Sequence, residues 1–481
     1  VFFFSALTPV SASGPGATFA AQTTNAVGAL PSSVALGYVN GDGNLDMVTA
    51  NSDDNTVSVL LGNGDGTFQD QTTNAVGSQP SSVALGDVNG DGNLDIVAAN
   101  SPDKTVSVLL GKGDGIFQDQ TTNDVGSLPS SVALGDVDVD GNLDIVAADS
   151  GSNTVSVLLG KGDGTFQTQT TNDVGTSPSS VALGDLNGDG NLDIVAANSD
   201  DKTVSVLLGK GDGTFQTQTT NDVGTGPFSV ALGDLNGDGN LDIVAANSDD
   251  KTVSVLVGNG DGTFQTQTTN NVGTGPFSVA LGDVNGDTKL DIVTANFGAK
   301  TVSVLVGNGD GTFQKQTTND VGPRPRSVAL GDVNGDTKLD IVTANSSAST
   351  ASVLLNTTPL SLTYFGGSED TLVITAPPTT PAVSYVIHYN TAARIAGGRP
   401  WGIWAKGWPA NKLSLPLATV QTAAGCSVFA GGLPTTCFRP AVIGQQAPGT
   451  TFSYRVYACT AGVAPACTTS TLSPTLAVTR P

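Results

Sequence analysis

The chain has 481 residues, too many for one small domain, and carries a formal net charge of −24 from 43 acidic and 19 basic residues. That excess of carboxylates repels a phosphate backbone and argues against nucleic acid as a partner, and no window reaches the roughly 18 consecutive apolar residues of a membrane-spanning helix. All acids but Glu369 are aspartates, the short carboxylate that fits tight turns and reaches cations.

Residues 1–13 form an apolar arm (Val1, Phe2, Phe3, Phe4, Leu7, Val10). Val10-Ser11-Ala12 resembles a small-residue cleavage site, but the basic start of a secretory leader is missing, so the arm is expected to be retained. From residue 14 to 358 the sequence repeats with a period of 49: Asp87, Asp136, Asp185, Asp234, Asp283 and Asp332 share one slot, and Tyr38 holds it one period earlier. The acidity belongs to this part. Residues 1–358 hold 41 aspartates against 10 lysines and 2 arginines, a net of −29, whereas residues 359–481 come to +5.

One unit predicts four strands, at 81–88, 94–100, 105–111 and 116–122, joined by turns rich in Gly, Asn and Asp. Val106, Val108 and Leu110 alternate cleanly in the third, and Ala84 and Gly86 suit a crowded centre. Four antiparallel strands repeated seven times predict an all-β fold, a seven-bladed β-propeller with 49-residue blades. The last copy stops at residue 358, before its fourth strand, and Phe19 lies one period before Phe68. The N-terminal strand is therefore expected to complete the last blade and close the ring, removing an open sheet edge.

Between the first two strands each unit carries D-x-N-x-D-G-x-x-D, as in Asp87, Asn89, Asp91 and Asp95. Calcium takes six to eight oxygens, and side chains at positions 1, 3 and 5 of a tight loop converge on one point. The carbonyl of Asn93 can add a backbone oxygen, and Asp95 closes the shell. The equivalent ligands are Asp136, Asp138, Asp140, Asn142 and Asp144 in the third loop, and Asp185, Asn187, Asp189, Asn191 and Asp193 in the fourth. The fifth has Asp234, Asn236, Asp238, Asn240 and Asp242. Loops six and seven keep Asp283, Asn285, Asp287 and Asp291, and Asp332, Asn334, Asp336 and Asp340, but lose the turn glycine to Thr288 and Thr337. Reduced affinity is expected there. The first loop offers only Asn40, Asp42 and Asp46, with Tyr38 in place of the first carboxylate, so the chain should hold up to seven ions with the first site weak or empty.

These residues, with the markers VALGDVNGDGNLDIV and LLGNGDGTF, resemble the FG-GAP repeats of integrin α-subunits and their bacterial relatives, including VCBS repeats. The resemblance covers residues 16–358 and implies a seven-bladed propeller with calcium held in hairpin loops on one face. The metal is expected to be structural, because near-identical copies offer no unique acid or base beside any one ion.

The opposite face carries the varied loops, including ANSPDK, ADSGSN and ANFGAK, and the only arginines of the propeller, Arg324 and Arg326, which are candidate interface residues. The propeller has no His, Cys or Glu, so no nucleophile–base pair is evident and no enzymatic activity is expected. The sole histidine, His388, lies in an alternating strand and reads as a half-buried strand residue.

Residues 359–481 resemble a fibronectin type III or immunoglobulin-like β-sandwich, with an insert at 391–449 that departs from the pattern. Cys426, Cys437, Cys459 and Cys467 suggest two disulfides, paired by proximity as 426–437 and 459–467 among three possible connectivities, and an oxidising, extracellular setting. Trp401, Trp404 and Trp408 cluster as a glycan platform, an interface or a cover for the sandwich core. Asn345 and Asn356 head the two glycosylation sequons. Two functions follow. The arm could add as a donor strand to a neighbour, building a head-to-tail homopolymer and a surface filament. Alternatively the chain is an adhesin or glycan-binding module that uses the varied face. A polysaccharide-acting enzyme is a distant third.

Overall fold

The computed structural model describes residues 16–358 throughout and, beyond them, nine strand segments between Leu362 and Thr479. The chain divides into two compact units, Val1–Thr357 and Thr358–Pro481. The arm residues 1–13 and the side chains of Trp401, Trp404, Trp408 and the four cysteines lie outside the described residues. In the second unit the strands β29 (Leu362–Phe365), β30 (Asp370–Thr375) and β31 (Ser384–Tyr389) form one antiparallel sheet. Six further strands pair two by two: Ile403–Trp404 with Ser414–Leu415, Thr435–Phe438 with Val456–Cys459, and Thr451–Tyr454 with Leu476–Thr479.

The first unit is a ring of seven four-stranded antiparallel sheets. Its second blade is typical: β6 (Pro80–Gly86), β7 (Asp95–Asn100), β8 (Thr105–Leu109) and β9 (Thr121–Asp124) run in that order from the axis outward. The other blades are β2–β5 (Pro31–Ala75), β10–β13 (Pro129–Asp173), β14–β17 (Pro178–Asp222), β18–β21 (Pro227–Asn271) and β22–β25 (Pro276–Asp320). The seventh comprises β26 (Pro325–Gly331), β27 (Asp340–Asn345) and β28 (Thr350–Leu354), and β1 (Thr23–Ala26) completes it. Thr23 faces Val353 and Ala26 faces Thr350, with Phe19 bridging Asn356 further along. The ring closes with strands from both ends of the repeat, as the register of Phe19 predicts.

Two details differ from the expected strands. The fourth strand begins at Thr121 rather than 116, because the segment before it bulges. Phe117 bridges Gly111 and Thr121 faces Val108, so four residues advance on the outer strand against three on its partner. The alternation in the third strand also does not divide core from solvent. Val106, Ser107, Val108 and Leu109 are all buried, since each blade is covered on both faces by its neighbours. Apolar clusters lie between blades, such as Val88, Val97, Ala99, Val106 and Val108 against Val132, Ile145, Ala147, Leu158 and Phe166. Each buried Val, Leu, Ile or Phe there gains about 1.5–3 kcal/mol on burial. Gly86 is required by this packing: a Cβ there would lie 2.8 Å from Leu134 and Leu143 of the next blade.

Serine stitches the axis. The hydroxyl of Ser33 accepts the N–H of Val83 one blade on, Ser82 that of Val132, and so on to Ser327, which accepts from Val34 and closes the circuit. Within each blade a buried amide ends the second strand: Asn51, Asn100, Asn198, Asn247, Asn296 and Asn345, with Asp149 in the third blade. Asn100 Nδ2 donates to Ser107 Oγ at 2.8 Å and to Thr105 Oγ1 at 3.1 Å, and Ser107 in turn donates to Gln120 Oε1. Both sequon asparagines belong to such buried networks, at 0% and 2% exposure, which rules out a glycan on either in the folded ring.

Candidate metal centres and the opposite face

Each loop between the inner strand and the next is organised by its own carboxylates. In the second, Asp87 accepts the N–H groups of Gly90, Asp91 and Gly92 at 2.7, 3.2 and 2.8 Å. Asn89 Oδ1 accepts from Asp91 N, and Asp91 accepts from Asn93 N at 2.8 Å. Asp95 is fully buried and braces the base, taking Val88 N–H at 2.8 Å on one oxygen and Gly111 N–H at 2.7 Å on the other. A carboxylate oxygen has more than one lone pair, so these bonds orient the ligands and leave capacity for a cation.

The electrostatics are those of carboxylates held together. Burial, with repulsion from the loop's other aspartates, raises the pKa of Asp46, Asp95, Asp193 and Asp242 above the usual carboxylate value. The same causes push Asp144 to about 6 and Asp291 and Asp340 to about 7. The fifth-position carboxylates Asp42, Asp91, Asp140, Asp189 and Asp238 are lowered instead, chiefly by the backbone N–H two residues on. In the third loop, ligand oxygens of Asp136, Asp138 and Asp144 lie within 4.8 Å of one another. An all-oxygen donor set, convergent and self-repelling, fits a calcium ion.

The copies differ in ways that bear on affinity. Loop one lacks the position-1 carboxylate, so the three N–H bonds that Asp87 collects have no counterpart at the exposed Tyr38. Loop three carries Val139 at a position where five of the other loops have glycine with φ of 70–78° and the sixth, Gly237, has 77°; Val139 adopts 59°, strained for a β-branched residue. Thr288 and Thr337 take φ of 69° and 70° in place of glycine, yet still donate N–H to Asp283 and Asp332 at 2.7 and 2.6 Å. Lys338 Nζ lies 3.6 Å from Asp336, whereas Lys289 Nζ is drawn off to the carbonyl of Asn308 at 2.7 Å.

Each loop is also a contact between blades. Gly164 N–H, in the turn after the third strand of blade three, donates to Val88 O in the loop of blade two, and Gly115 to Val39 O likewise. The truncated seventh blade has no such turn. There Asn356 Nδ2 substitutes, donating to Val284 O at 2.7 Å and to Leu339 O at 2.9 Å. Sequence reading took Asn356 for a sequon and missed this role, although its place at the cut end of the repeat was a usable signal.

On the opposite face the inner strands begin with Ser32, Ser81, Ser130 and Ser179, each donating to a proline carbonyl of the next blade at 2.7–2.8 Å. The next three blades replace serine with Phe228, Phe277 and Arg326. Phe228 stacks on Phe277 with centroids 4.3 Å apart, Phe277 on Phe297 at 4.4 Å, and the Arg324 guanidinium lies 5.5 Å from the Phe297 centroid. The three rings are partly exposed, Arg324 exposed and Arg326 half-buried. Desolvation lowers the Arg326 pKa from its ordinary value, though a guanidinium remains charged. The arginines were legible in the sequence; the phenylalanines were missed, because their stacking joins residues 20 to 49 apart on two inner strands and one turn.

An FG-GAP-like repeat profile matches residues 38–98, 87–147, 136–196, 185–245, 234–294 and 283–343. The chain belongs to the FG-GAP-like repeat family. Each match begins at position 1 of a metal loop and ends within the second strand of the following blade, so the FG-GAP unit straddles the inter-blade contact. No curated protein matches the sequence. Among solved structures, BBS1N in complex with ARL6DN is 11% identical with a TM-score of 0.51, over 70% of this chain and 96% of that one. An Agrocybe aegerita lectin that recognises non-reducing terminal N-acetylglucosamine is 23% identical with a TM-score of 0.43, over 65% and 85%. A streptogramin B lyase is 14% identical with a TM-score of 0.48, over 70% and 97%. At these identities the likeness concerns the fold alone.

Proposed function

We propose that this FG-GAP propeller is an extracellular, non-catalytic binding module, braced by calcium on one face and presenting a ligand site on the other. The observation that carries the reading is the division of labour between the faces. Six of the seven metal loops repeat the bond from the loop N–H to the first carboxylate, while the serine that donates to the next blade's proline carbonyl is replaced in three consecutive blades. Each broken position gives up a hydrogen bond worth about 1 kcal/mol for a partly exposed aromatic or cationic side chain. Carboxylates crowded in six loops favour a cation at the millimolar concentrations of extracellular calcium. The absence of His, Cys and Glu from residues 1–358 supports a role without catalysis. Retention of the purified protein on immobilised acidic and neutral polysaccharides, with calcium and with EDTA, tests this. Calcium-dependent retention without release of soluble sugar is expected; release of sugar, or no retention on any surface, contradicts it.

A second reading, a filament subunit, draws on the place where the chain enters the ring. Thr18 O accepts the N–H of Thr357 at 2.8 Å, and β1 is the outer strand of its blade, so residues from the N-terminal side of the repeat supply the closing strand. Electron microscopy of the protein with and without residues 1–13 tests it: filaments that vanish on deletion support a donor strand, and monomers in both samples dismiss it.

A further inference from the structure

The column formed by Phe228, Phe277, Phe297 and Arg324, with Arg326 beside it, has no structural necessity. Four other blades hold the same inner-strand slot with serine and keep an inter-blade hydrogen bond there. In the seventh blade Arg326 puts a guanidinium, half withdrawn from water, at this slot, and Arg324 is held at a φ of 54° on the exposed edge. Among the described residues neither guanidinium has a carboxylate within ion-pair distance, although residues 1–358 carry 41 aspartates. A partly desolvated cation without a paired anion is costly, and an incoming anion relieves that cost. Arginine also offers the planar fork that grips a carboxylate through two N–H groups.

The surroundings limit what that anion can be. The neighbouring turns on this face bring Asp249, Asp250, Asp200 and Asp201, with Asp250 accepting Thr225 N–H at 2.5 Å. A polyanion is repelled there, so the ligand must carry its charge in one place and be neutral elsewhere. It must also present an apolar surface to a strip of phenylalanine rings. A sugar acid has both features: one carboxylate, neutral hydroxyls, and a C–H face that packs on aromatics. Resting on the binding-module reading above, we propose that this strip binds a terminal uronic acid or similar carboxylate-bearing saccharide, with Arg326 and Arg324 on the carboxylate and the phenylalanines against the ring.

The test is calorimetric titration of the calcium-loaded protein with an acidic trimer, two neutral galactoses ending in a single galacturonic acid, with the neutral galactose trimer, and with an apolar tripeptide with a free C-terminus. The variants Arg326→Ser and Phe277→Ser restore the residue that four other blades carry, so the ring is expected to fold in both, as circular dichroism checks. Binding of the acidic trimer, at least ~10-fold tighter than the neutral one and weakened ~10-fold or more by either variant, is the expected result. Equal affinity for both trimers overturns the role of the arginines. Unchanged binding in the variants overturns the site while leaving the binding-module reading intact. Binding of the peptide alone, or of none of the three probes, overturns the saccharide assignment, whereas the polysaccharide retention experiment decides the module reading independently.

Discussion

Asp149 is the one carboxylate in a slot where every other blade has asparagine, and the effect of Asp149→Asn can be worked from the structure. The side chain is fully buried, its Oδ1 has no hydrogen-bond partner, and burial pushes its pKa from 3.8 to about 6. The Ser156 hydroxyl faces two acceptors with one hydrogen, Asp149 Oδ2 at 2.6 Å and Gln169 Oε1 at 2.5 Å. In the other blades the asparagine amide donates to the serine, so a protonated Asp149 restores the chain of donors and an ionised one breaks it. A folded pKa above the unfolded value means that the native state holds the proton more tightly. Stability is therefore undiminished below about pH 4, falls as the pH rises from about 4 to 6, and stays lowered above. The shift corresponds to about 3 kcal/mol at pH 7. Asparagine removes this penalty. Urea unfolding of both proteins in saturating calcium, from pH 4 to 7.5, should show the variant more stable by up to about 3 kcal/mol at pH 7.5 and the advantage shrinking towards pH 4. Contributions of the loop carboxylates cancel in the difference. A pH-independent difference, or a less stable variant, refutes the reasoning.

Four further outcomes follow from neighbouring details. Asn51, Asn296 and Asn345 each receive a hydroxyl on Oδ1 from Thr49, Thr294 and Thr343, whereas Asn100, Asn198 and Asn247 face alanine and leave Oδ1 unpaired. Ala98→Thr and Ala196→Thr should each stabilise by about 1 kcal/mol in thermal or urea unfolding. Val139→Gly should release about 1 kcal/mol of backbone strain, seen as a raised Tm in EDTA. Asn356→Ala should cost about 2 kcal/mol by removing two hydrogen bonds at the ring closure, and mass spectrometry of protein from a glycosylating host should find Asn345 and Asn356 bare.

Much of this architecture was readable because the repeat does the reading. A period of 49 revealed the strand count, the carboxylate-rich loops and the closing strand, since each blade is a local hairpin series with its own turn chemistry. What stayed hidden lies between blades. The outer-strand bulge between Phe117 and Thr121 lies where Phe117 packs against the preceding blade, and the burial of Ser107 and Asn100 follows from having sheets on both sides. Polar residues there look like surface in a single strand. The Phe228–Phe277–Phe297 column is invisible along the chain for the same reason, although lining up the seven copies shows Ser, Ser, Ser, Ser, Phe, Phe, Arg in one slot. The strain at Val139 and the rival cation Lys338 also needed backbone angles and distances.

Calcium in the proposed loop sites is tested most directly by binding stoichiometry together with stability. Equilibrium dialysis of the metal-stripped protein should approach six ions per chain at millimolar calcium, rising by one in Tyr38→Asp, with magnesium a poor substitute. Calorimetric unfolding should show a Tm that falls on adding EDTA and recovers with calcium. Fewer than two ions bound, or a Tm indifferent to EDTA, would contradict the claim that the metal braces the ring.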